Sequence, residues 1–534
     1  MIDVLFCGAT IHDGLGSPPR RGDVAVAGDR IVVPDADLVG SGTRVIDADG
    51  LIVAPGFIDL HSHGDCTLPA FPGAINSISQ GVTTEVIGNC GYTPAPVSPI
   101  GERAGELRLQ TAAIGPDLDW SWTTFGSYLD RLDAVRPAHN VVPLVGFGAL
   151  RIAAMGMVDR PATAAEIVRM QADLDDALDA GAWGLSTGLV YPPGAYAARD
   201  EIVAVGRGLT ARDALYASHI RSEGDDLVAA VEEAIAIGSA LGVRVEISHL
   251  KSLGVRNHGR VGRALERIDR ARAAGDRVTF DVYPYIAGST MLSQVLPPWL
   301  HDGGQEDLIA RLRSAEVRAR IRRDLETGLP RFANYSVASG GWDKVMIAAV
   351  QDPACRWAEG RTVAELAAAS ATDPLDVVCD LLIDDRAATV MIVFMMREDD
   401  VNEVLAHPAA GIGSDQLGVT SDSARVHPRA YGTFARILGL ATRDEGPLDM
   451  ATAIRRMSGQ AAAMLGLGDR GRVAPGAVAD LVAFDPTRVS ATSTYADPAA
   501  LATGIETVLI GGGFALDGGR VVDRGLGRVI RRPA

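Results

Sequence analysis

From Val4 to Val53 short β-branched and apolar runs are cut by Gly and Asp, as in "VLFCGATIHDG", "GDVAVAGDRIVV" and "TRVIDADGLIVAPG". That texture predicts a small antiparallel sheet. It returns near the other end in "GRVAPGAVADLVAFDP", "IETVLIGGGFALDGGR" and "GRVI". The two termini are therefore expected to build one small β-domain, a β-sandwich over 1–54 plus 470–534, with the middle of the chain inserted into it. Across 55–469 the pattern changes: apolar runs alternate with Ala- and Leu-rich stretches of helical period such as "TAAEIVRMQADLDDALDAG" and "DDLVAAVEEAIAIGSALG". This alternation predicts βα units and a parallel sheet.

Eight runs qualify as strands: "IVAPGFIDLHSH", "GVTTEVIGNCG", "VVPLVGFGAL", "AWGLSTGL", "ALYASHIR", "VRVEISHLK", "RVTFDVYPY" and "AGIGSDQ". Eight is the number that closes a (β/α)8 barrel. A doubly wound open sheet is the alternative fold, but no GxGxxG follows a first strand and no GxxxxGK[ST] occurs. The segment from about 297 to 410 exceeds one βα unit, so it is expected to form an inserted lobe over the barrel mouth.

Composition narrows the class. The chain has 534 residues, 47% hydrophobic and 22% charged, as in ordinary globular proteins. A net charge of −17 disfavours nucleic-acid and anionic-membrane partners, which need clustered Lys and Arg. Nowhere do eighteen apolar residues run together, so neither a membrane span nor a membrane partner is expected. Five cysteines, Cys7, Cys66, Cys90, Cys355 and Cys379, make a poor disulfide framework and suit a reducing, cytoplasmic setting. The oligomeric state stays open, a homo-oligomer included.

In an α/β barrel the chemistry sits at the carboxyl ends of the strands. Here strand one ends in His61 and His63, strand two in Cys90, strand five in His219, strand six in His249 and strand eight in Asp415. Two residues along a strand return to one face, so His61 and His63 point the same way. Singly, each of these residues has an ordinary alternative: a satisfied core histidine, a small buried hydrophobe at Cys90, or a turn cap at Asp415. Four of the ten histidines gathered at three strand ends point instead to a metal centre. Imidazole plus thiolate is a borderline-soft donor set that suits zinc, as one ion or two, and not magnesium or calcium.

The chain resembles the amidohydrolase superfamily, and specifically the N-acyl-D-amino-acid deacylases. The matching pieces keep their order along nearly the whole chain: "GFIDLHSHGD", "GVTTEVIGNCGYTPAP", "GLSTGLVYPPGAYA", "SHIRSEGDDLVAAVEEAIAIG", "ISHLKSLG", "DVYPYIAGST", "GSDQ" with "HPRAYGTFARIL", and "MSGQAAAMLGLGDRGRVAPGAVADLVAFDP". The resemblance implies a zinc-dependent enzyme that hydrolyses the amide of a small N-acyl amino acid. It implies His61 and His63 as ligands of one metal site, His219 and His249 as ligands of the other, Cys90 as a ligand able to bridge, and Asp415 as general base and acid. Lys251, Tyr283 (in preference to Tyr285) and Arg429 are implied to hold the substrate carboxylate. A D-preference is implied by resemblance alone.

Two other readings remain. One is a hydantoinase-like or dihydroorotase-like enzyme acting on another linear or cyclic amide, although the fourth strand lacks the lysine that bridges metals in those relatives. The other is a catalytically silent metal-binding scaffold. Gln416, where the resemblance leads one to expect glycine, and the long lobe are expected to reshape the pocket.

Overall fold

The computed structural model describes the whole chain except residues 36, 38, 113, 114, 117, 331, 418, 420–424 and 534. Strands from both ends join in one nine-stranded sheet. Its seam is the antiparallel pairing of Ile52–Pro55 with Leu481–Phe484. Alternating residues of the first strand, Val4, Phe6, Ala9 and Ile11, pack with Val24, Val26, Leu481, Ala483 and Leu509 into one apolar core. The period-2 pattern thus sets which face is dry.

The sheet is mixed, not antiparallel as the sequence suggests. Val4–Ile11 pairs antiparallel with Arg20–Ala27 but parallel with Arg44–Asp47 and with Ile52–Pro55. The Arg20–Val32 hairpin intervenes, so the chain re-enters beside the first strand in its original direction.

Between the ends lies a parallel array. Phe57–Asp59, Val82–Ile87 and Asn140–Pro143 pair in parallel, and so do Val145–Gly146, Gly184–Gly188, Leu215–His219, Arg244–Ile247, Val278–Val282 and Ala410–Ile412. Leu144 N–H donates to Ile87 O at 2.9 Å and Trp183 N–H to Pro143 O at 2.8 Å, joining the two runs. Leu60 N–H donates to Ile412 O at 3.0 Å, so the last strand meets the first. Most of these strand residues are buried, as expected when helices cover a parallel sheet. In the Val261–Ala273 helix, Val261, Ala264, Leu265, Ile268 and Ala271 form the buried stripe, at the 3.6-residue spacing visible in the sequence.

Three expected boundaries shift. "IVAPGFIDLHSH" is two strands, because Ile52–Pro55 belongs to the terminal sheet and Phe57–Asp59 to the parallel array. A Cβ on Gly56, between them, would lie 2.3 Å from Thr83 side-chain atoms, so the crossing demands glycine. "VVPLVGFGAL" ends as helix from Phe147. The extra antiparallel sheet begins at Ala287, ahead of 297, with Val345–Ala349 and Val390–Phe394 as its other strands. Glu398–Ala406, expected inside the lobe, instead packs on the Val261–Ala273 helix and the strand at Ala410. Nothing polar or glycine-rich separates Ala287–Met291 from the preceding strand region, so composition gives no sign of the break. Among the described residues no helix is long and apolar enough to cross a membrane.

Candidate metal centre

The strands deliver their polar residues to one end of the array. His219 is the last residue of Leu215–His219, and His61, Cys90, His249 and Asp415 follow shortly after their strands. Ser62–His63 forms a short parallel pair with Gln416–Leu417, which brings the strand-one and strand-eight ends together. Cys90 (φ 53°), His249 (φ 36°) and Asp415 (φ 50°) adopt left-handed backbone conformations. Each such turn costs a non-glycine residue about 1 kcal/mol and persists only where its surroundings hold it. Three at one site mark turns that aim side chains inward.

All six side chains are buried. Cys90 Sγ lies 3.3 Å from His61 Nε2, 3.6 Å from His219 Nδ1 and 3.6 Å from His249 Nε2. A thiol has one proton to donate, so hydrogen bonding does not account for three nitrogens around one sulfur. A shared ion does: bonds of about 2.0 and 2.3 Å at a tetrahedral angle separate nitrogen from sulfur by roughly 3.5 Å. Asp415 Oδ1 lies 3.6 Å from His61 Nε2 and 3.5 Å from His63 Nε2, the spacing of ligands on a common ion. The potential ligand atoms form three overlapping groups, each within 4.8 Å: His61, His63 and Cys90; Cys90, His219 and His249; His61, His249 and Asp415. Cys90 is thus shared by two of the groups. The donor set fits zinc.

Charge supports the same use. Burial pushes the Cys90 thiol up, but His61 together with hydrogen bonds from His219, His249 and His61 holds it well below the ordinary thiol range, as a ligand thiolate requires. Burial raises Asp415 as well, yet Arg429, His249 and His63 hold its carboxyl well below the usual range.

Two acidic residues that the strand-end reading passes over orient this set. Asp281 Oδ2 lies 3.2 Å from His61 Nδ1, and its Oδ1 accepts the His249 N–H at 3.0 Å. Glu223 Oε1 lies 2.9 Å from His249 Nδ1 and accepts from Lys251 Nζ at 2.5 Å. Such outer partners fix the tautomer and direction of ligand imidazoles. Asp281 does leave a signal, as the acid within "VTFDV"; Glu223 leaves none beyond its position four residues after His219.

The expected carboxylate-binding trio comes together around one aromatic ring. Lys251 Nζ and Arg429 Cζ stand 5.6 and 4.7 Å from the Tyr283 ring centroid. The buried Tyr283 hydroxyl has no hydrogen-bond partner. Tyr285 turns away, its ring against His427. Gln416 does not reshape the pocket as expected: it is buried and bonds to Glu85, Ser77 and Asn76. The fourth strand, Gly184–Gly188, contains no lysine.

The sequence profile of the Amidohydrolase family matches residues 44–514. The chain belongs to the amidohydrolase family. Within that family it is 39% identical to an N-acyl-D-aspartate deacylase of Alcaligenes xylosoxydans xylosoxydans, over 99% of this chain and 95% of the relative. A solved D-aminoacylase, described as defining a novel subset of amidohydrolases, superposes with a TM-score of 0.83 at 38% identity over the full length of both chains. A solved N-acyl-D-glutamate deacylase of Bordetella bronchiseptica, complexed with zinc and a phosphonate mimic of the tetrahedral intermediate, gives a TM-score of 0.83 at 35% identity, covering 99% of each chain.

Proposed function

We propose that this amidohydrolase is a zinc-dependent N-acyl-D-amino-acid deacylase that releases a carboxylate and a free D-amino acid. The observation that carries the reading is the sharing of one thiolate by His61, His219 and His249, with Asp415 beside His61 and His63. Full-length likeness to deacylases of D-aspartate and D-glutamate derivatives supports the substrate class.

His61, His63, Cys90, His219 and His249 hold the zinc, as one ion or two, with Cys90 able to bridge. When bound, zinc supplies Lewis acidity toward the acyl carbonyl and an acidified water. Asp415, ionised because Arg429 and the histidines offset its burial, takes the proton from the attacking water and returns it to the leaving amine nitrogen. Lys251, Tyr283 and Arg429 grip the α-carboxylate, Arg429 through its planar fork and Tyr283 through its free hydroxyl. Fixing that carboxylate while the carbonyl faces the metal leaves two positions at Cα, which allows one hand to be chosen.

The same reading makes the parallel array a (β/α)8 barrel over about 55–469 and the nine-stranded sheet a small β-sandwich of 1–54 and 470–534. Leu60–Ile412 pairing and the Ile52–Pro55 seam support this division. The lobe is redrawn to about 287–396. Five cysteines without disulfides suit a cytoplasmic enzyme.

The test is amine release from paired N-acetyl-D- and N-acetyl-L-amino acids with hydrophobic and acidic side chains, before and after chelation and zinc restoration. Chelator-sensitive cleavage of the D-forms alone is expected. Cleavage of neither form by zinc-loaded protein sinks the substrate assignment. Asp415→Asn is expected to abolish turnover with zinc retained; an active Asn variant removes Asp415 from this role.

A further inference from the structure

Asp415 is the residue whose direction matters most to the proposed chemistry, and its backbone is strained, with φ 50°. Its own N–H donates to His61 O at 2.8 Å, a single bond. The stronger constraint lies on its two chain neighbours, each fastened to a buried carboxylate that the hydrolytic reading does not use.

On one side, Ser414 donates its N–H to Asp59 Oδ1 at 2.8 Å and its hydroxyl to Asp59 Oδ2. Asp59 Oδ1 also accepts the His61 N–H at 3.1 Å, so one carboxylate spans the ends of the first and last strands. On the other side, Gln416 Nε2 donates to Glu85 Oε1 at 2.7 Å and to Ser77 Oγ at 3.3 Å, while its Oε1 accepts from Asn76 Nδ2. Glu85 Oε2 accepts the Ser62 hydroxyl at 2.8 Å, and Oε1 accepts the Ser77 hydroxyl and faces His139 Nε2 at 3.2 Å. Ser62 lies between the two ligand histidines and faces Gln416 across the short parallel pair. Glu85 therefore grips both the residue between His61 and His63 and the residue after Asp415. Asp59, Glu85 and Gln416 are all buried, so no solvent competes for these bonds.

We propose that Gln416 is a positioning residue: through Glu85 it fixes the turn that aims the Asp415 carboxylate at His61 and His63. The proposal rests on the reading of Asp415 as general base. Gln416 touches neither substrate nor metal. Its amide is matched to this place: the nitrogen needs a carboxylate, and the oxygen takes the Asn76 donor. A glycine at 416 would leave Glu85 Oε1 and Asn76 Nδ2 short of a partner and the turn held from the Asp59 side alone.

The experiment compares Gln416→Met, which keeps length and removes the hydrogen bonds, with Gln416→Glu and with the exchange Gln416→Glu plus Glu85→Gln. Readouts are kcat, KM, bound zinc per chain and Tm, on the full-length zinc enzyme. Gln416→Met is expected to lower kcat about tenfold or more, since ångström-scale misplacement of a reacting group is that costly. KM and zinc content are expected to stay near wild type. Gln416→Glu, which sets two carboxylates together, is expected to do worse, and the exchange to recover most of kcat by reversing donor and acceptor. A Gln416→Met enzyme within twofold of wild-type kcat overturns the proposal, as does a fall in kcat that merely follows lost zinc. So does an exchange variant no better than Gln416→Glu, a comparison that also decides the matter should Gln416→Met not fold. Asp415→Asn separates the two claims. If it stays active, the general-base reading fails; if it is dead while the Gln416 variants run at wild-type rates, only the positioning role fails.

Discussion

Arg429 Nη1 lies 2.9 Å from Asp415 Oδ2, with the guanidinium fully buried. The cation proposed to receive the substrate carboxylate is thus paired, before substrate arrives, with the carboxylate proposed to move the proton. A substrate α-carboxylate entering beside Arg429 would share that fork, which links binding to the state of the base.

That link predicts two changes in Arg429→Ala. KM for N-acyl amino acids is expected to rise about 10- to 100-fold, the size of a lost charge-assisted hydrogen bond. Burial raises the Asp415 carboxyl, and Arg429 is the foremost of the groups that hold it down. Without Arg429 the carboxyl titrates higher, so the acid limb of kcat/KM moves to higher pH. A pH profile with an unmoved acid limb would separate Arg429 from Asp415.

Glu223 joins Lys251 to His249 at 2.5 and 2.9 Å. Glu223→Gln is expected to weaken zinc binding about 10- to 100-fold, as loss of an outer partner of a ligand histidine does. Competition with a chromogenic chelator measures this. Wild-type affinity in the variant would mean that Glu223 serves Lys251 alone.

Cys90→Ser keeps a small polar side chain at the shared position but supplies a hydroxyl that stays protonated at neutral pH. Zinc per chain is expected to fall and turnover with it, read by metal analysis after dialysis. Full zinc and full activity would exclude Cys90 as a ligand.

His301 is buried in the lobe region, with Nε2 3.2 Å from Ser293 O, and burial pushes its imidazole down to about 4. The folded state therefore resists a proton that the unfolded chain accepts near pH 6.5. Its contribution to stability is full above pH 6.5 and is lost as pH falls toward 4, on the order of a few kcal/mol. His301→Gln is expected to flatten the decline of Tm across that window relative to wild type. Parallel curves for the two proteins would place the acid sensitivity elsewhere.

Much of the site was legible in sequence because apolar runs that end in His, Cys or Asp are rare and repeat here at the period of βα units. The terminal β-texture likewise announced a shared sheet. Its parallel pairings were not legible, since texture carries no direction: Val4–Ile11 reads the same whether Arg44–Asp47 runs with it or against it. The start of the extra sheet at Ala287 was hidden for a similar reason, as apolar residues continue across it.

The sequence by itself determined the donor chemistry: four imidazoles, a thiol and a carboxylate at strand ends, with an arginine, a lysine and a tyrosine for a carboxylate. Tertiary structure alone decided how they are used. Cys90 meets His61, His219 and His249 only because parallel strands far apart in the chain end side by side, and left-handed turns at Cys90, His249 and Asp415 swing them inward. Asp281, Glu223, Glu85 and Gln416 join the site through hydrogen bonds whose ångström tolerances no residue spacing encodes. Gln416 illustrates the difference: its identity suggested an altered pocket, and its buried contacts make it part of the frame beneath Asp415.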